Sequence, residues 1–307
     1  MNTSPATVVP ERAGRSGLQA LLQRRPLVAY FVLAYLGTWL VFAPVVVSQR
    51  GLGLLTLPDA LGLILFFVSA YIGPFGAALV VSRATGGPGA VRDLLRSIVR
   101  WRVGVQWYLL VILGYPLLFL AGMAAMGNDV PVAGILRQWP LFLTVYLPNI
   151  LLGLLLPSLG EEPGWRGFAL PRLQRQLGPL SGTLLLGILH GLWHTPAYFV
   201  RGMILPDGFD LTLFVANTVA IVASTVIWTW IYNNARQSVF MAIVVHATSN
   251  ATVMLLQQLV AIPPDPWLTS KLFGAVVLLL IVATRGRLSY KRELPTTDIA
   301  TNLAGLH

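Results

Sequence analysis

Glu161 and Glu162 are adjacent in the 307-residue chain, and Arg166 follows Glu162 by four residues. That is the spacing at which a carboxylate and a guanidinium meet on one helix face. His190 and His194 are also four apart, as are His246 and Asn250, so each pair points to one side of its helix. Glu161 or Glu162 within hydrogen-bond reach of a water can serve as its general base. An imidazole can hold or co-activate that water, and His246 and Asn250 can donate hydrogen bonds to a developing oxyanion. The same residues allow a second arrangement. Glu161, His194 and His246 can bind one divalent metal such as zinc, with water in the open position. Both arrangements hydrolyse an amide, and the residue types alone leave both open.

Other chemistries are poorly served. The segment from His190 to His194 has the histidine spacing of a zinc-peptidase helix, but Gly191 stands where that motif carries its catalytic glutamate. Ser158 precedes the acids and Ser249 adjoins Asn250, yet neither lies in an activating motif for a serine nucleophile. No glycine-rich phosphate loop is present. The chain has no cysteine, which excludes thiol nucleophiles, disulfides and cysteine-type zinc sites. Taken singly, each candidate has a simpler reading. Paired acids can cap a helix end, Arg166 can be a topological charge, and a buried histidine or asparagine can be interhelical glue. Trp165 and Phe168 read as interface anchors, and Asn149, Asn217, Asn233 and Asn234 as structural. The weight lies in their joint occurrence at compatible depth.

That depth is set by membrane helices. The chain is 56% hydrophobic and 10% charged, whereas a soluble domain carries roughly 25% charged residues. An ordinary soluble enzyme and a disordered chain are both excluded. Apolar runs of about 20 residues cross a bilayer. Such runs cover 27–47, 57–81, 105–126, 141–159, 180–199, 211–232, 239–261 and 267–283. The expected fold is all-α: a polytopic membrane helix bundle with about eight transmembrane helices. Residues 88–101 add an interfacial amphipathic helix, with Val91, Leu94, Leu95 and Ile98 on one side and Arg92, Arg96 and Arg100 on another. Residues 168–177 have a similar character. Residues 26–284 form the transmembrane domain, with the motif-bearing core at 140–255, between a cytoplasmic segment at 1–25 and a cytoplasmic tail at 285–307.

The net charge of +10 is distributed by loop. Seventeen bases and six acids fall on the side of the termini, and four bases and five acids on the other. This predicts cytoplasmic termini and a positive-inside topology, and it explains the basic balance without nucleic acid. On that topology His194 is roughly 20 Å deep, His246 about 10 Å and Asn250 about 16 Å. Ionisable groups at such depth are costly and mark functional sites by default.

At these residues the chain resembles the CPBP intramembrane proteases, the CAAX-protease and bacteriocin-processing (Abi) family. Residues Glu161, Glu162 and Arg166 match its EExxxR motif, and His194 the histidine of its second motif, usually FxxxH. His190 stands where that phenylalanine is common, and His246 and Asn250 match the third motif, HxxxN. The resemblance covers roughly 140–255. It implies a membrane endopeptidase, of peptides or membrane-anchored proteins, that opens to the cytoplasmic side. Glu161 and His194 would activate water, His246 and Asn250 would stabilise the oxyanion, and Glu162 and Arg166 would support and orient. Two other functions compete: a proton-coupled carrier that uses the buried Glu and His as a relay, and a non-catalytic immunity or scaffold protein.

Overall fold

The computed structural model describes residues 17–128, 130–205, 207–260 and 265–291. All regular structure among them is helical, apart from one isolated bridge between Ser48 and Leu55. Most of the segments expected for the cytoplasmic termini, 1–16 and 292–307, lie outside the described residues.

Six helical stretches among the described residues are long and apolar enough to cross a membrane. They are Pro26–Val46 (α2), Asp59–Ile98, Val105–Ala125 (α5), Phe142–Leu177, Leu211–Asn234 (α12) and Val239–Leu259 (α13). Pro179–Trp193 (α10) and Leu268–Thr284 (α14) are apolar but shorter. At about 1.5 Å per residue, α10 alone falls short of a 30 Å hydrocarbon core. The eight apolar segments expected are therefore all helical, as six long helices and two short ones. Large side chains such as Leu40, Leu117, Leu279 and Val282 stand exposed on their outer faces. Apolar exposure on this scale is stable only against lipid, so the protein is a polytopic membrane protein.

Several boundaries differ from expectation. The second span and the amphipathic helix are one stretch: α3 (Asp59–Ala70), a wide π turn at Tyr71–Phe75, then α4 (Gly76–Ile98). Gly87 breaks α4 at φ 66°, ψ −159°, a conformation closed to residues with a side chain, and Pro88 starts the second half. The fourth span and residues 168–177 likewise join. They run through α7 (Leu147–Gly153), α8 (Leu159–Glu162) and α9 (Leu170–Leu177), separated by π turns at Leu154–Ser158 and Pro163–Ala169. Each of those turns holds a proline, Pro157 or Pro163, which has no amide hydrogen for the regular ladder. Before α2 and α7 lie the short helices α1 (Gly17–Arg24) and α6 (Val132–Arg137), and α11 (Thr195–Tyr198) follows α10.

Helix α13 occupies the middle of the bundle. Of its apolar window 72% is buried, against 22–39% in the other long helices, and a helix buried on all sides belongs to a core. Helix α10 lies close against α12 through Gly187 and Gly191. A β-carbon there would approach Val222 Cα and Thr218 Cγ2 to 2.9 Å. Small residues at such a seam let two backbones approach closely, and this fixes how α10 presents its histidines.

Candidate active site

The two adjacent glutamates sit on the single turn of α8, between two π turns. Consecutive residues on a helix point about 100° apart, so they serve different neighbours. Glu161 faces α10, where its Oε2 is 2.9 Å from His190 Nε2. Glu162 faces α13 and the π turn after α8. Its Oε1 accepts from Arg166 Nη1 at 3.0 Å and from His246 Nδ1 at 2.9 Å. The Glu162–Arg166 pair keeps the i,i+4 relation read from the sequence, and it forms despite the intervening Pro163 and Gly164 because the π turn continues the helix. His190 and His194 also share one face, their rings 5.1 Å apart.

Burial around this centre is nearly complete. Glu162 and Arg166 are fully buried, and Glu161, His190 and His246 are at most 7% exposed. A buried charge is tolerable only when paired and hydrogen-bonded. Arg166 meets that condition on three sides: Glu162, the Thr225 hydroxyl at 3.3 Å and the face of Trp228 at 4.9 Å. Trp228 also lies against the His246 ring, 5.1 Å between centroids. The Glu162 half of the centre is thus a network joining α8, the π turn after it, α12 and α13, in which Glu162 Oε2 and Arg166 Nε keep no hydrogen bond among the described residues.

The Glu161 half is different. An ionised carboxylate only accepts, so His190 Nε2 carries the proton and its Nδ1 is left with a lone pair, buried and without a partner. His194, at the end of α10, is 2.9 Å through Nδ1 from the His190 carbonyl. A carbonyl also only accepts, so Nδ1 holds the proton and Nε2 presents a free lone pair. Among the described residues, no hydrogen bond engages the second oxygen of Glu161. One donor atom from each of Glu161, His190 and His194 lies within 4.8 Å of the others.

This trio is capable of chelating a divalent cation. A carboxylate oxygen and two imidazole nitrogens form a donor set that zinc accepts, with a fourth position open. With both glutamates ionised, Glu161, Glu162 and Arg166 also leave one unbalanced negative charge. His190 takes the place beside Glu161 and His194 that the sequence reading gave to His246, which bonds Glu162 instead. Asn250, one turn beyond His246, is exposed, and its side chain forms no hydrogen bond among the described residues.

Sequence reasoning misplaced the aromatic support. Trp165 and Phe168 are fully buried and are not interface anchors. Trp165 packs on the His190 ring at 4.9 Å, on Tyr30 at 5.8 Å and on Trp193 at 5.7 Å. Trp193 in turn donates through Nε1 to Thr38 Oγ1 at 2.9 Å. Thr225 and Trp228 were overlooked too, although their i,i+3 spacing places them on one face of α12. The asparagines behave as read: Asn149, Asn233 and Asn234 each donate to a backbone carbonyl.

Residues 143–252, which carry every group just described except Tyr30 and Thr38, match a family model described as type II CAAX prenyl endopeptidase Rce1-like. Over this stretch the chain is similar to that family. A curated relative, "CAAX prenyl protease 2" of Methanococcus maripaludis, is 31% identical over 162 residues. The match covers 50% of this chain and 56% of the relative, so the chain spans a little over half the length of that protein. The CPBP motifs coincide with the geometric centre: EExxxR supplies both halves, the second motif supplies His194, and the third supplies His246.

Proposed function

We propose that the protein is an intramembrane endopeptidase acting on a peptide or membrane-anchored protein. The carrying observation is the Glu161–His190–His194 cluster, in which Glu161 keeps one oxygen free and His194 presents Nε2. Glu161 removes a proton from a water held against His194, and the oxygen of that water attacks the scissile carbonyl. The resulting oxyanion is met by His246 and Asn250. Glu161 then returns the proton to the leaving amine as the C–N bond breaks, giving one new carboxylate and one new amine. His246 can donate from Nε2 only as an imidazolium, because its Nδ1 proton is committed to Glu162. A proton there also cancels the unbalanced charge of the two glutamates and Arg166. Glu162 and Arg166 position His246 and hold α8 against α12.

Glu161, His190 and His194 are the residues that would hold a divalent cation. When bound, such an ion supplies Lewis acidity at the carbonyl and a more acidic water. The name of the relative points to prenylated, membrane-tethered tails as the first substrates to try. Purified Glu161→Ala and His194→Ala are expected to lose cleavage of such a peptide while still accumulating in membranes. Wild-type-like cleavage by Glu161→Ala overturns the proposal.

Both termini are placed in the cytoplasm, on the excess of basic residues in the loops of that side. The chain has no native cysteine, so single cysteines report orientation directly. In intact cells an impermeant thiol reagent should label Gln138→Cys and spare Asp93→Cys, both at exposed positions. The reverse pattern inverts the topology.

A further inference from the structure

We propose a binding site for an anionic phospholipid headgroup where α4 ends and α13 begins. A cavity of about 470 Å³ there is lined by Val99, Arg100, Trp101, Arg102 and Arg236. Three guanidinium groups share this concavity, and none of the three pairs with a carboxylate among the described residues.

The arginines are organised by the backbone. Arg100 Nη1 donates to the Arg236 carbonyl at 2.8 Å, and Arg236 Nη1 donates to the Arg102 carbonyl at 3.2 Å. Ser238 Oγ donates to the Arg100 carbonyl at 2.6 Å while accepting from the Met241 amide at the start of α13. The two loops are therefore stitched together, which brings like charges into one pocket. Arg236 and Gln237 both hold positive φ, 58° and 52°. Residues with side chains keep that conformation only where their surroundings impose it. Three cations collected without an anion imply that the compensating charge comes from outside the chain.

The form of that anion follows from the flank. Trp101 is 55% exposed, with Arg102 over its ring at 5.1 Å, and Val99 and Val105 are 68% and 69% exposed. An amphipathic ring beside an apolar helix start marks the membrane–water boundary. A lipid phosphate among the arginines would lay its acyl chains along α5 from Val105. A free phosphate would use the cations and leave this apolar margin uncovered.

The test uses the full chain in nanodiscs and in detergent, with bound lipid counted by native mass spectrometry. Phosphatidylglycerol should be retained over phosphatidylcholine, and Arg102→Gln should weaken retention about fivefold, the effect of one basic residue near an anionic surface. Arg102 enters the stitch only through its carbonyl and not its side chain, so this variant leaves the loops intact. Arg100→Gln with Arg102→Gln should weaken it further, and Arg83→Gln with Arg92→Gln should leave it unchanged. Equal loss in the Arg83/Arg92 variant, or full retention in the Arg102 variants, overturns the site as a diffuse basic surface. Inorganic phosphate in place of lipid should bind too weakly to shift thermal unfolding. A phosphate-induced shift without any preference for phosphatidylglycerol overturns the lipid assignment.

Discussion

Glu161 and Glu162 are neighbours in sequence and opposites in circumstance. Glu162 is sealed between Arg166 and His246, with Thr225 and Trp228 completing the shell, so its charge is spoken for on every side but one. Glu161 has one histidine partner, one free oxygen and the open lone pair of His194 close by. A carboxylate held by a guanidinium and an imidazole at once fixes helices, whereas one with a single histidine partner can exchange a proton. Two identical side chains, one residue apart, thus divide positioning from chemistry.

The largest expected effect tests the chemical half. Glu161→Gln keeps the shape and removes the base, so cleavage should fall by about 10²–10⁴-fold with unchanged thermal unfolding. Glu162→Gln assayed in parallel separates the two residues. Equal loss of activity in both, with both fully folded, erases the distinction drawn here. Next in size is the structural half. Glu162→Ala leaves Arg166 buried and unpaired, a change that costs about 3–5 kcal/mol. It should appear as poor accumulation and a lowered unfolding temperature in detergent. Normal stability in that variant shows that the network does not hold the bundle. The smallest effect concerns the link between the halves. His190→Phe keeps the ring against Trp165 and restores the residue common in the second motif, but it removes the bond to Glu161. If His190 only orients Glu161, kcat should drop about tenfold, KM should hold, and the pH profile should shift. A complete loss instead gives His190 a direct part in the reaction.

Much of this centre was legible beforehand, for physical reasons. Membrane residence follows from scarce charge, and ionisable groups in apolar runs are costly enough to be noticed, which marked Glu161, Glu162, His194 and His246. What could not be read was rotation. Whether Glu161 or Glu162 faces α10 depends on how α8 is turned between its flanking π turns, and no periodicity encodes that turn. The same gap hid the exchange of His190 for His246 beside Glu161. Trp165 and Phe168 look like boundary residues because aromatic side chains near a span end usually are. Only packing around Tyr30 and His190 reveals them as core. The fusion of the second span with its amphipathic continuation turned on Gly87, where a glycine–proline pair bends the chain without ending the helix.

The seam between α10 and α12 has an implication for any experiment that selects on activity alone. Gly187 and Gly191 carry no group that can move a proton, yet a methyl at either position meets its neighbour at 2.9 Å, against the Val222 backbone at Gly187 and the Thr218 methyl at Gly191, so the seam that positions the histidine-bearing helix must shift. A saturation screen scored by cleavage would rank Gly187, which meets backbone, with Glu161 as intolerant of larger residues, and Gly191 close behind it. Their signature would be mistaken for chemistry until size and polarity were varied separately.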